Sequence, residues 1–256
     1  MVKNLVQLWQ ISIIILILVM SSSWVSADEF NLAVATNFYD TAKKLVNLFA
    51  KRTGHQAIIT AGSTGKLYNQ LKEQPAAFDV FLSADIETPQ LLEQQGLGVA
   101  NTRFSYAIGK LVLWSPQEGL VDAKGEILQQ GKFEHLSIAD PQVGPYGIIA
   151  QEAMANLNVL EKLRSKLLLH ENMTKTYQTI KAGESQLGFV ALSMLNPNQK
   201  IVGSFWVVPT NLYTPIEQQA ILLQAGKDNQ AALAFLDFLK TPRARNTIES
   251  YGYGLP

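Results

Sequence analysis

The chain contains no cysteine and only three histidines. Without a thiol, cysteine catalysis, Cys-ligated zinc and disulfides are excluded, as is a lipid anchor built on a processed cysteine. His55, His135 and His170 stand at no metal-ligand spacing, so no His-based metal site is expected. An excess of either charge is also missing, with 21 Lys plus Arg against 21 Asp plus Glu. Binding to nucleic acid normally needs a basic face, and this balance offers no sign of one. Neutrality does not exclude a small anion, because backbone dipoles can replace side-chain charge.

Long hydrophobic runs are scarce too. One stands out, ISIIILILVM over residues 11–20, and it is shorter than the roughly 20 residues that span a bilayer. Lys3 precedes it, a Ser-rich stretch follows, and Val25-Ser26-Ala27 places small residues at the usual cleavage positions. Residues 1–27 therefore read as a signal peptide, with the exported chain starting near Asp28. An uncleaved N-terminal anchor is the other reading. The full 256-residue sequence is 47% hydrophobic and 16% charged, enough for one large domain or two lobes and unlike a disordered chain.

Four segments repeat one pattern: an apolar strand, a small polar turn, an amphipathic helix. The first runs from strand 30–35 through Thr36-Asn37 to a helix from about Asp40, with Ala42, Leu45, Val46 and Phe49 at the helical period and Gly54 as its stop. The second runs from strand 56–60 through Gly62-Ser63-Thr64-Gly65 to a helix carrying Leu67 and Leu71. The third has strand 136–139, turn 140–147 and a helix with Ala150, Ala153, Met154 and Leu157. The fourth has strand 166–169, turn 171–174 and a weaker helix around Tyr177 and Ile180. Further strands are expected at 80–83, 106–114, 188–192, 205–208 and 219–223, and a last helix at 231–239. Such alternation implies α/β layers, with ligands bound beyond the strand C-termini. No crossover helix is evident around 106–114 and 205–223. These segments are therefore expected to carry the chain twice between two lobes, one of roughly 28–107 and 216–256, the other of 108–215.

The four turns fit anion binding. A helix start has N–H groups without intrahelical partners and the positive end of the helix dipole. Thr36, Asn37, Ser63 and Thr64 add side-chain donors, and Gly62, Gly65 and Gly147 let backbone approach closely. Any one of these turns is equally an ordinary capped helix start. Asp79, Asp85 and Asp140 read as structural caps, since a carboxylate would repel an anion. Lys66 and Lys110 read as solvated, and Trp114, Phe205 and Trp206 as core or hinge packing. Pattern alone thus reaches an anion or a small polar ligand.

Longer stretches narrow this. Ala35-Thr36-Asn37-Phe38, Gly62-Ser63-Thr64-Gly65, Phe81-Leu82-Ser83-Ala84-Asp85, the run YAIGKLVLWS at 106–115, Asp140-Pro141-Gln142, Pro145-Tyr146-Gly147 and Gly188-Phe189-Val190-Ala191-Leu192 occur in order, ending with Tyr251-Gly252-Tyr253. In that order and spacing the chain resembles the periplasmic molybdate-binding proteins, the substrate-binding components of ABC importers. It is most similar to the subgroup that begins Ala-Thr-Asn-Phe. The resemblance implies a two-lobed periplasmic binding protein of type II, each lobe a mostly parallel sheet flanked by helices, with the ligand in the cleft. It implies molybdate or tungstate as ligand, no cofactor, no catalysis, a membrane permease as partner, a monomer and a periplasmic location.

By the same resemblance, Thr36, Asn37, Thr64, Tyr146 and Met173 would hold the oxyanion. Thr64 keeps the hydroxyl of the serine expected there. Met173 stands where a valine gives its backbone N–H. Ala191 stands where other members carry a tyrosine ligand, and Tyr146 would supply that hydroxyl instead. Alternatives are another oxyanion such as sulfate or phosphate, a small organic acid, or, more remotely, a hydrolase. Gly62-Ser63-Thr64-Gly65 is neither a nucleophile elbow nor a phosphate-binding P-loop.

Overall fold

The computed structural model describes residues 28–256; the expected signal peptide lies outside the described residues. The chain forms two five-stranded sheets, each flanked by helices. Among the described residues no helix is long and apolar enough to cross a membrane.

The first sheet is built on β1 (Glu29–Ala35), flanked in parallel by β2 (Gln56–Gly62) and β3 (Val80–Leu82). Helix α1 (Tyr39–Thr53) connects β1 to β2, buries Ala42, Leu45 and Phe49, and stops at Gly54, whose φ of 82° suits glycine. Helices α2 (Thr64–Glu73) and α3 (Glu87–Gln94) follow β2 and β3. Strand β4 (Phe104–Gly109) lies at the far edge.

The second sheet begins with β5 (Leu111–Ser115), which starts two residues after β4 ends. Short helix α4 (Ile127–Gln130) leads to β6 (Leu136–Ala139), then α5 (Pro145–Asn156) and α6 (Leu160–Leu163). Next come β7 (Leu167–His170), α7 (Met173–Lys181), β8 (Leu187–Ala191) and β9 (Ser204–Val207). The chain then returns to the first sheet as β10 (Ile216–Leu222) and ends in α8 (Gln230–Leu239) and α9 (Pro242–Ser250).

The two sheets share a plan. Their orders are β2-β1-β3-β10-β4 and β7-β6-β8-β5-β9. The first three strands of each run parallel, the fourth is reversed, and the fifth is antiparallel to the fourth. The reversed strands, β10 and β5, are those by which the chain arrives from the other lobe. No crossover helix precedes them, so nothing brings them back in the parallel sense.

The expected single strand over 106–114 is two strands in two different sheets, broken at Lys110. β4 pairs with β10 as far as Gly109, so the lobe boundary expected after residue 107 falls inside a strand. A single lysine inside the otherwise apolar run YAIGKLVLW gives no local signal that the chain changes sheets.

Each lobe has its own core. Phe30, Leu32 and Val34 of β1 pack with Phe235 and Leu239 of α8 on one face of the first sheet, while Ala33, Phe81 and Ile221 meet Leu67, Leu71 and Leu92 on the other. Burial on both faces explains the nearly continuous apolar run of β1. Trp114 and Trp206 are buried in the second lobe, whereas Phe205, expected to pack, is 38% exposed on edge strand β9. Asp85 ties the start of α3 through Thr88 N–H (3.0 Å) and the hydroxyls of Thr88 and Ser83. Burial is the leading influence on its carboxyl and raises its pKa.

Gly147 is needed for a close approach inside the second lobe. A Cβ there would stand 2.3 Å from the carbonyl oxygen of Ala139 and 2.7 Å from the nitrogen of Pro141. Its place is against the end of β6, and not against a ligand as the sequence suggested. Gly147→Ala must push α5 away from β6, at a cost of about 1–3 kcal/mol. Thermal unfolding of the variant should show a melting temperature lower by several degrees; an unchanged midpoint would mean that the turn yields freely.

Candidate functional site

The four turns singled out in the sequence all follow strand C-termini, and they meet between the lobes. β1 runs into a 3-10 turn, Thr36–Phe38, which continues directly as α1. β2 leads to α2 through Ser63, β6 to α5 through Gly144, and β7 to α7 through Asn172. Together they enclose a cavity of about 20 Å³ whose lining includes Thr36, Asn37, Ser63, Thr64, Tyr146 and Met173, with Ala84, Gly144, Pro145 and Asn172 among the rest of the wall. All five residues expected to bind the ligand therefore line one space. A single water needs ~10–15 Å³ by the same measure and organic ligands occupy pockets of ~300–1,000 Å³. The cavity suits one compact ion.

No Lys, Arg, His, Asp or Glu lines it. Its polarity comes from helix starts and hydroxyls. Three of the four helix starts have no side-chain cap: neither Ala35, Ser63 nor Gly144 caps its own turn. Asn172 does cap α7, accepting from Lys175 N–H at 2.9 Å. The ordinary-cap explanation thus holds for one turn and leaves the other three with N–H groups to satisfy.

Among the described residues, three buried side-chain polar atoms have no hydrogen-bond partner: the hydroxyls of Thr41, Ser63 and Thr179. Only that of Ser63 belongs to the cavity wall. A buried hydroxyl without a partner costs about 1–3 kcal/mol, so Ser63 is a donor awaiting an acceptor. The sequence reading noted it as a donor but carried only its neighbour Thr64 into the ligand set. Thr64 Oγ1 accepts from Ala84 N–H at 3.3 Å, which leaves its proton free to donate.

Asn37 departs from the expectation that its side chain donates into the site. Its Nδ2 gives to Gln218 Oε1 (3.1 Å) and to the Tyr253 hydroxyl (3.2 Å), both behind the cavity. What it can offer a ligand is its backbone N–H. Met173 is 4% exposed and packs into the second lobe's core, so its polar contribution is likewise its backbone N–H, at the first position of α7. Ala191 ends β8 fully buried and does not line the cavity. Tyr146 does, and its hydroxyl lies 3.5 Å from Gln218 Nε2. Burial, then the neighbouring Tyr253 and Tyr213, hold its pKa well above the usual tyrosine value. It remains a protonated donor throughout the neutral range.

The lobes touch around this space. Gly65 N–H donates to the Val143 carbonyl at 3.1 Å, and Ser193 Oγ donates to the Asn37 carbonyl at 2.9 Å. Lys66 faces Glu171 at 3.8 Å across the rim; both side chains are about two-thirds exposed, so the pair adds little. A larger groove of about 620 Å³ adjoins the cavity, but Asp85, Glu87, Glu152 and Glu217 line it, which makes it repellent to an anion. His55, His135 and His170 line neither space.

Residues 30–254 match the family described as bacterial extracellular solute-binding protein. The molybdate-binding protein ModA of Azotobacter vinelandii is 46% identical over 90% of this chain and 91% of its own length. That of Rhodobacter capsulatus is 43% identical over 89% of each. Among solved structures, the A. vinelandii periplasmic molybdate-binding protein superposes with a TM-score of 0.85 at 38% identity, covering 89% of this chain and 99% of that one. A sulfate-binding protein of Mycobacterium tuberculosis, at a TM-score of 0.72 and 11% identity over 89% of this chain and 87% of that one, shares the fold alone. The chain belongs to the bacterial extracellular solute-binding protein family, in the branch of the molybdate-binding proteins.

Proposed function

We propose that this protein captures one molybdate or tungstate ion in the cavity between its lobes and delivers it, as a monomer in the periplasm, to the membrane permease of an ABC importer. One observation carries the reading: Thr36, Asn37, Ser63, Thr64, Tyr146 and Met173, from four helix starts, surround a small cavity with no charged side chain. Export by the expected N-terminal signal peptide belongs to the same proposal. The lobes would divide near Lys110 and again just before Ile216, where the chain changes sheets.

In this reading the anion receives backbone N–H groups from residues 36, 37, 146 and 173, and hydroxyl protons from Thr36, Ser63, Thr64 and Tyr146. Sulfate has the same charge and shape but is smaller. Donors held at fixed positions cannot all close on it. Calorimetry should give one site per chain for molybdate and tungstate, with sulfate and phosphate at least tenfold weaker. Equal heats and affinities for sulfate would sink the assignment.

Ser63 and Tyr146 carry separable expectations. A hydrogen bond to a charged group contributes about 1.5–3 kcal/mol, or roughly 10- to 100-fold in affinity. Tyr146→Phe should weaken molybdate by that factor and leave folding almost intact. Ser63→Ala should weaken it similarly while the ligand-free protein melts no lower than the parent, because the change removes an unpartnered buried hydroxyl. A loss of ligand-free stability with unchanged affinity would assign Ser63 to the scaffold.

The pH dependence follows from the same wall. Its one titratable side chain, Tyr146, is shifted upward and so keeps its proton as pH rises through neutrality. Molybdate affinity should vary by less than about twofold between about pH 6 and 8.5. A steep fall near pH 6.5 would bring a histidine into the site and overturn the neutral-donor account.

A further inference from the structure

Behind the cavity lies a buried polar cluster that joins both lobes. Gln218 is its centre. It is fully buried on β10, where the β4–β10 ladder slips by one residue: Gln218 pairs with Ala107 and Gln219 with Ser105, leaving Tyr106 as the extra residue. Alternation along β10 puts Gln218 on the buried side with Ile216, Ala220 and Leu222, and Tyr106, the extra residue on β4, meets it there. Its Oε1 accepts from Asn37 Nδ2 at 3.1 Å and lies 3.0 Å from the Tyr106 hydroxyl, whose single proton is shared with the Ser83 carbonyl, also at 3.0 Å. Its Nε2 faces the Tyr146 hydroxyl at 3.5 Å. Gln218 therefore contacts one wall residue from each lobe without lining the cavity itself.

The direction of these contacts matters. A carboxamide oxygen only accepts and its nitrogen only donates. Asn37 Nδ2 can only donate, so it holds Oε1 and leaves the nitrogen facing Tyr146, whose oxygen then receives a proton instead of giving one. Tyrosine has a single hydroxyl proton. If its oxygen is an acceptor on the Gln218 side, that proton is left for the cavity. Gly109, the last residue of β4, makes the meeting possible: a Cβ there would stand 2.3 Å from the Tyr146 hydroxyl and 3.0 Å from Gln218 Nε2. Tyr253 and Ser193 complete the cluster on the Asn37 side, where the Tyr253 hydroxyl contacts the Asn37 carbonyl at 2.8 Å and Ser193 Oγ at 2.9 Å. Asn37 is thereby fixed at both its carbonyl and its amide.

We propose that Gln218 is the positioning residue of the site: it fixes Asn37 and, by donating to the Tyr146 oxygen, directs the Tyr146 proton at the oxyanion. The proposal rests on the oxyanion reading above.

The test is calorimetric titration of molybdate into the parent, Tyr146→Phe, Gln218→Met, the double variant and Gln218→Glu, with ligand-free melting curves to establish that each is folded. Gln218→Met keeps the bulk and removes both hydrogen-bonding functions. It should weaken molybdate about tenfold or more. In the double variant the losses should fail to add, because Gln218 acts largely through Tyr146. Gln218→Glu is isosteric and tests polarity. Its carboxylate can only accept, so it takes the Tyr146 proton and sets a negative charge beside the anion. Its affinity should therefore drop steeply between pH 6 and pH 8.5, where the parent is flat, and recover as the carboxyl is protonated. Parent-like affinity in Gln218→Met, full additivity in the double variant, or a flat Gln218→Glu profile each overturns the positioning role. A parent that takes up no molybdate overturns the oxyanion reading and the positioning role together. Should Gln218→Met fail to fold, the Gln218→Glu pH profile decides alone.

Discussion

A charge removed from water must be met by an equivalent field, and the cavity between the lobes offers one without a counter-ion. An isolated ion in a low-dielectric interior is unfavourable by tens of kcal/mol. The usual remedy is a lysine or arginine, and none lines the cavity. Four helix starts take its place. Each carries roughly half a positive charge at its N-terminus, so four sum to roughly two, the charge of a tetrahedral dianion. Those dipoles are part of the backbone. They need no side-chain ordering when the ligand arrives and do not titrate, which is why the site can be neutral in composition and still electropositive where it counts.

The rest of the architecture follows from bringing four helix starts to one point. A sheet whose parallel strands end at a common edge supplies two such starts side by side, after β1 and β2 in one lobe and after β6 and β7 in the other. One sheet cannot surround an ion. Two sheets facing each other can, provided the chain passes between them and returns. The reversed strands β5 and β10 perform those passages, and the cluster around Gln218 forms where β4, β10 and the first turn meet. The strand crossings between the sheets and the back wall of the cavity are therefore the same piece of structure. A ligand that tightens Asn37 and Tyr146 acts on residues that already hold the lobes together.

Much of this was legible in the sequence, and the gaps have specific physical causes. The strand–turn–helix repeats declare themselves because local periodicity and turn chemistry suffice to specify them. The break at Lys110 does not, because a single lysine is all that interrupts an apolar run that continues on the far side while the chain changes sheets. Asn37 looked like a donor to the ligand because its composition says so; its partners Gln218 and Tyr253 lie 181 and 216 residues away, beyond any local pattern. Ser63 and Thr64 are adjacent hydroxyls that sequence cannot rank. Burial and hydrogen bonding separate them. Gln218 sits in the polar run Glu217-Gln218-Gln219, whose composition gives no sign that its middle residue shares the buried face of Ile216, Ala220 and Leu222.

Selectivity must then reside in the turns. The sulfate-binding protein that shares this fold at 11% identity shows that two facing sheets are compatible with a different anion. What a scaffold of this kind leaves open is how far apart the donors stand and how firmly. Backbone N–H groups at helix starts are fixed by the helices behind them. The hydroxyls of Thr36, Ser63 and Thr64 rotate, and the Tyr146 hydroxyl moves with its ring, so these are the groups that could shrink the cavity onto a smaller anion. Two of them are restrained: Thr64 by Ala84 N–H, itself part of the wall, and Tyr146 by Gln218 behind it. Restraint of that kind gives a larger oxyanion its advantage. In the proposed site, relaxing it would allow the wall to follow sulfate inward, so discrimination by size would depend in part on Gln218, which does not line the cavity.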